Sequence, residues 1–124
     1  MKQRILVVDD EPQIREMLSE YFGTHGFETA TAGDSEETLR AVEKDHIDVV
    51  VLDIGLEEDG LKLLEKLKAS HPGLRVIMLT GMGLVEDLLL EAQQKGADGY
   101  VSKVLPLDEL LVAINRILKI APTP

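Results

Sequence analysis

Cysteine is absent from this 124-residue chain, which excludes a disulfide framework, thiolate catalysis and cysteine-ligated zinc. Three scattered histidines, His25, His46 and His71, do not replace it. Basic charge is scarce: 13 lysines and arginines stand against 23 aspartates and glutamates, a net charge of −10. Such a chain repels phosphate backbones, so no nucleic acid is expected to bind this segment, whereas sites that concentrate cations are favoured. No apolar run approaches the length of a membrane span. The basic start Lys2-Gln3-Arg4 is followed only by Ile5 to Val8 before the first acids, too short for a signal-peptide core. A cytoplasmic protein without membrane association is the expectation. There is no internal repeat and no low-complexity tract.

What is present suits one globular unit. Hydrophobic residues at 44% and charged residues at 29% set the chain apart from disordered sequences. One domain is expected over residues 1–120, with Ala121-Pro122-Thr123-Pro124 as a tail or the start of a linker, since closely spaced prolines oppose a helix. Short apolar runs alternate with longer amphipathic stretches. Ile5-Leu6-Val7-Val8, Val49-Val50-Val51-Leu52 and Val76-Ile77-Met78-Leu79 are near-continuous and rich in branched residues, the pattern of parallel strands covered on both faces. Weaker strand patterns lie at Glu28–Thr31 and Gly99–Ser102.

Helical spacing follows each strand. Ile14, Met17, Leu18, Tyr21 and Phe22 form one stripe behind Pro12, which suits a first helical turn, and Gly23 and Gly26 end it. Further helices are predicted at Ser35–Lys44, Asp59–Ala69, Leu84–Lys95 and Leu107–Lys119. Five strands alternating with five helices imply right-handed crossovers and an α/β, doubly wound (βα)5 three-layer sandwich with a five-stranded parallel sheet. Ligand sites in such sheets lie beyond the carboxyl ends of the strands.

The strand ends carry the chemistry. Asp9 and Asp10 follow the first strand, Asp53 the third, Thr80 the fourth and Lys103 the fifth. Three carboxylates on one rim repel one another unless a cation joins them, and an oxygen-only ligand set favours Mg²⁺, with Mn²⁺ also suitable. A metal held by Asp10 and Asp53 would shield an incoming phosphate and let the Asp53 carboxylate attack phosphorus. Lys103 then holds one phosphoryl oxygen and the Thr80 hydroxyl another. Each residue also has a plainer use. Asp9-Asp10-Glu11 before Pro12 suits a helix N-terminus, Asp53 suits a cap, Thr80 suits a strand end and Lys103 a solvated charge. Their joint placement at successive strand ends is harder to explain that way.

Ile5-Leu6-Val7-Val8-Asp9-Asp10-Glu11-Pro12, Val51-Leu52-Asp53-Ile54, Leu79-Thr80-Gly81 and Gly96-Ala97-Asp98-Gly99-Tyr100-Val101-Ser102-Lys103 together resemble the receiver domain of bacterial two-component response regulators. The resemblance covers essentially the whole chain and implies a flavodoxin-like, chemotaxis-regulator-like fold. It implies Asp53 as the phosphoacceptor, Asp9 and Asp10 as the acidic pair that positions Mg²⁺, and the Gly55 carbonyl as a further metal ligand. Thr80 and Lys103 match the phosphate contacts, and Tyr100 the aromatic switch that follows the Thr80 hydroxyl. A sensor histidine kinase or phosphotransfer protein is the implied phosphodonor, and the 84–119 face the implied surface for an output domain or a homodimer. Beyond its own phosphotransfer and dephosphorylation, no enzyme activity is implied.

Two departures from the family pattern stand out. Val104 occupies the place of a proline that normally follows the lysine in a cis bond, which predicts a trans Lys103–Val104 bond and a rearranged loop around Lys103. The segment from Asp53 to Gly60 is one residue short and has Glu57 where a proline is usual. Gly55 and Met82 flank the expected phosphate. The helix from Leu84 carries more apolar residues than one buried stripe needs, so either some are exposed or the helix is thickly buried. The altered loops leave open a pseudoreceiver, a binding module of the same fold without phosphorylation. An aspartate-nucleophile phosphatase fits less well, because Gly55 stands where those enzymes carry a second aspartate. A dinucleotide or flavin carrier fits least, because the first turn is acidic rather than glycine-rich.

Overall fold

Consecutive branched apolar residues can be satisfied in a strand only if both faces are covered, and the three central strands meet that condition. The computed structural model describes residues 2–55, 59–81, 86–103 and 106–118. Along them run β1 (Arg4–Val8), α1 (Pro12–Thr24), β2 (Glu28–Ala32), α2 (Ser35–Lys44) and β3 (Val49–Asp53), then α3 (Gly60–Ser70), β4 (Arg75–Thr80), α4 (Glu86–Gln94), β5 (Gly99–Ser102) and α5 (Leu107–Ile117). The strands form one sheet in the order β2-β1-β3-β4-β5, every pairing parallel.

Two-residue alternation divides the core. Ile5, Val7, Val49, Val51, Ile77 and Leu79 point to one face, where Leu18 and Phe22 of α1 and Leu110 and Ile114 of α5 cover them. Leu6, Val8, Val50, Leu52, Val76 and Met78 point to the other, against Leu39 of α2, Leu63, Leu64 and Leu67 of α3 and Ala92 of α4. The expected three-layer sandwich is what forms. The two weak strand patterns are the two sheet edges, where β2 reads Glu-Thr-Ala-Thr-Ala and only Ala32 is buried. An edge strand is half-solvated, so its sequence lacks the apolar run that marks a central one.

Local signals set the helix ends. Pro12 begins α1 after an extended Glu11. The Asp34 carboxylate accepts from the Glu37 amide at 2.8 Å and caps α2. The fourth and fifth helices begin and end within two residues of the predicted limits; Leu84, Val85 and Lys119 lie outside the described residues. So do residues 56–58, Met82, Val104 and the 121–124 tail, and with them the predicted trans Lys103–Val104 bond. Of the surplus apolar residues on α4, Leu88 and Leu89 are half-buried and Leu90 is 48% exposed.

Side chains also tie α1 to α5. The Tyr21 hydroxyl donates to Asp108 Oδ1 at 2.6 Å. Burial, with the Asp108 hydrogen bond and charge, pushes the Tyr21 phenol up from 10.0 to about 12. A raised folded pKa stabilises the protein below the unfolded value and ceases to do so as pH climbs through the folded one. Tyr21→Phe is therefore expected to lower stability by about 0.5–1 kcal/mol near neutral pH. Urea titrations of both proteins should show this gap narrowing between pH 10 and about 12.

Candidate functional site

The register that builds the sheet also gathers the polar strand ends. Val8 pairs with Leu52, and Asp53 pairs with Leu79, which in turn pairs with Val101. Asp9, Asp53 and Lys103 each continue the alternation of residues that face α1 and α5, so their side chains emerge on one side of the rim. Lys103 Nζ lies 2.8 Å from Asp9 Oδ2 and 3.3 Å from Asp53 Oδ2. Asp9 is fully buried, Asp53 is 5% exposed, and Asp10, one residue past the strand, is exposed.

Backbone amides hold the two buried acids. The Glu11 amide donates to Asp9 Oδ1 at 2.9 Å, and the Gly55 amide to Asp53 Oδ1 at 3.0 Å. The second Asp9 oxygen, also buried, has the Lys103 ammonium beside it but no well-directed hydrogen bond among the described residues. Burial, reinforced by the charge on Asp9, holds the Asp53 carboxyl above the usual aspartate range despite the Gly55 amide and Lys103. Burial works against the charge on Lys103, yet the adjacent carboxylates of Asp9 and Asp53 prevail and hold its pKa above the ordinary lysine value. Among the described residues one ammonium, paired with Asp9 and Asp53, thus stands against a group of three carboxylates.

That imbalance fits a divalent cation. Asp9, Asp10 and Asp53 can each offer an oxygen, all within 4.8 Å of one another. The under-satisfied Asp9 Oδ2 is the kind of buried acceptor that a hard cation completes, directly or through its water.

Thr80 and Tyr100 belong to the opposite face of the sheet. Tyr100 pairs with Met78, and Thr80 lies two residues beyond Met78, so the two side chains are diagonal neighbours. Thr80 is fully buried, and its carbonyl accepts from the Lys103 amide at 2.7 Å, which joins the ends of β4 and β5. The Tyr100 ring packs against the α2, α3 and α4 core, and its buried hydroxyl has no hydrogen-bond partner among the described residues. Gly55 is exposed at the mouth of the site.

The plainer uses of the acids are met in part, since Asp9-Asp10-Glu11 does lead into α1, whereas Asp53 caps no helix. Glu11, not Asp9 or Asp10, takes the cap position of α1 and makes no side-chain cap bond, while Asp59, not Asp53, caps α3. Sequence reading passed over Arg15, whose Nη1 donates to the Asp9 carbonyl. The available signal was that Arg15 is the one basic residue on α1 and lies close behind two aspartates.

The response regulator receiver domain family matches residues 5–115. The sporulation initiation phosphotransferase F of Bacillus subtilis is 33% identical, over 95% of this chain and 95% of its own. TcrX of Mycobacterium tuberculosis, named as a transcriptional regulatory protein, is 38% identical, over 93% of this chain and 49% of its own, so this chain spans about half of it. A receiver domain protein from Methanospirillum hungatei, described as CheY-like, superposes with a TM-score of 0.89 at 30% identity, covering 96% of this chain and 95% of that one. No helix among the described residues is long and apolar enough to cross a membrane.

Proposed function

This chain belongs to the response regulator receiver domain family, and from that premise we propose that Asp53 accepts a phosphoryl group and thereby switches the Thr80/Tyr100 face of the domain. Receiver domains of this family act in phosphorylation-based signalling, bind Mg²⁺ through acidic residues and are in general not enzymes. The reading rests chiefly on one observation, the convergence of Asp53 and Asp9 on the Lys103 ammonium at 3.3 and 2.8 Å.

The donor is a histidine kinase or a phosphotransfer protein. An Asp53 carboxylate oxygen attacks phosphorus, the phosphorus–nitrogen bond of the donor phosphohistidine breaks, and its electron pair stays on the imidazole, which takes up a proton. The product is an acyl phosphate on Asp53. Asp9, Asp10, Asp53 and the Gly55 carbonyl would hold Mg²⁺, with Mn²⁺ as a substitute. When bound, the cation neutralises negative charge between carboxylate and phosphate. Lys103, released from two carboxylates, offers its charge to one phosphoryl oxygen. Thr80 hydrogen-bonds another, and Tyr100, whose hydroxyl has no hydrogen-bond partner among the described residues, follows. The exposed Leu90 and Val112 belong to the 84–119 face that would meet an output domain or a second copy.

Incubation with acetyl phosphate and Mg²⁺, followed by intact mass, tests the proposal. One phosphoryl adduct is expected with Mg²⁺ and none in chelator. Mg²⁺ alone should raise the thermal midpoint, by the equivalent of about 2.7 kcal/mol at a hundred times its dissociation constant. If neither adduct nor stabilisation is seen, the chain is a pseudoreceiver that binds partners without phosphorylation.

A further inference from the structure

The acidic pair at the end of β1 cannot position itself. Asp9 and Asp10 are adjacent residues just past a strand, one buried and one exposed, and both carry negative charge. Their useful pose depends on the orientation of the peptide between them. The Asp9 amide is held by the Ala32 carbonyl at 3.2 Å, which prolongs the β1–β2 pairing. The carbonyl of that residue has left the sheet, and Arg15 Nη1 meets it from the first turn of α1.

Arg15 is itself seated. A β-carbon added at Gly33, in the turn between β2 and α2, would lie 3.0 Å from Arg15 Nη1 and 3.4 Å from Cζ, so the guanidinium rests directly on that glycine. The Gly33 amide donates to Glu37 Oε1 at 3.2 Å, which fixes the turn from the α2 side. A planar guanidinium fits between a glycine and a carbonyl, whereas a lysine ammonium presents neither the flat surface nor the fork of donors.

We propose that Arg15, seated on Gly33, is a positioning residue that clamps the Asp9–Asp10 peptide through the Asp9 carbonyl and so presents both carboxylates to the divalent cation. This inference rests on the functional reading above. It assigns Arg15 no contact with the cation or the phosphoryl group. Groups that orient metal ligands from outside the coordination sphere commonly change affinity by about 10–100-fold when removed. As a charge alone, Arg15 would act the other way, since a cation beside the site repels a second one.

That opposition in sign makes the test decisive. Mg²⁺ binding to the full chain would be measured by calorimetry for wild type, Arg15→Ala, Arg15→Lys and Gly33→Val, with thermal melts in chelator to show that each is folded. Wild type is expected to bind, and Arg15→Ala to bind about 10-fold more weakly or worse. Arg15→Lys should recover only part of the loss, and Gly33→Val, which keeps the arginine but displaces its seat, should resemble Arg15→Ala. Folded Arg15→Ala that binds Mg²⁺ as well as wild type, or better, overturns the clamp. A wild type that binds no Mg²⁺ instead overturns the functional reading on which the clamp rests.

Discussion

Asp53→Asn is expected to abolish the phosphoryl adduct and, in metal-free buffer, to raise the thermal midpoint. An amide of the same shape has no anionic oxygen to attack phosphorus, so the adduct should fall to background, the largest change any single substitution here would produce. The stability gain follows from the same charge. Asp53 is 5% exposed, stands beside buried Asp9, and has its carboxyl pKa raised by burial and by that neighbour. A raised carboxyl pKa means that the folded state disfavours the anion. Metal-free wild type therefore loses stability as pH rises from the unfolded aspartate value of 3.8 through the higher folded one. The Asn variant lacks that loss, and Lys103 keeps Asp9 as its partner. Thermal melts in chelator at about pH 4 and about pH 7 should show the variant's advantage growing with pH. A variant less stable than wild type at neutral pH would mean that the Lys103 ion pair outweighs carboxylate burial and repulsion.

Gly60→Ala should be the more damaging change to the fold. An added β-carbon would lie 2.5 Å from the Asp53 carbonyl oxygen, 3.0 Å from Ile54 Cα and 3.1 Å from the Ile54 carbonyl oxygen, all backbone atoms that cannot rotate away. The start of α3 or the end of β3 must move, at an expected cost of about 3 kcal/mol, the upper range for overpacking. Because the atoms struck belong to Asp53 and its neighbour, phosphorylation should slow as well. Urea unfolding and the rate of adduct formation check the two effects separately. The residue before it shows the same tightness: Asp59 adopts φ 70 while its carboxylate accepts from the Leu61 amide at 3.1 Å. A left-handed φ at a non-glycine residue costs roughly 1 kcal/mol or more, and the cap offsets part of it.

The central strands were legible because continuous branched apolar residues have few other uses at that length, and α1 because Pro12, its apolar stripe and Gly26 mark both ends. Tyr100 was singled out only through its resemblance to a family position; its pairing with Met78 and its diagonal relation to Thr80 depend on strand register, which no local pattern encodes. Arg15 was missed for a related reason. Its partner is a backbone carbonyl and its seat is a glycine in another loop, and neither has a side-chain signature.

Sequence by itself determined the alternation of strand and helix, the doubly wound class and the acids and lysine at the strand ends, because these depend on periodicity and on the chemistry of single residues. Tertiary structure decided which of those residues meet. Residues 9, 53 and 103 come together because parallel register aligns three strand ends and the pleat sends their side chains the same way. The same packing decided which acid is buried and which is exposed, and where Arg15 and Gly60 stand against the backbone of the site. Such relations join residues dozens of positions apart, and only a folded chain brings them within reach of a hydrogen bond or a collision.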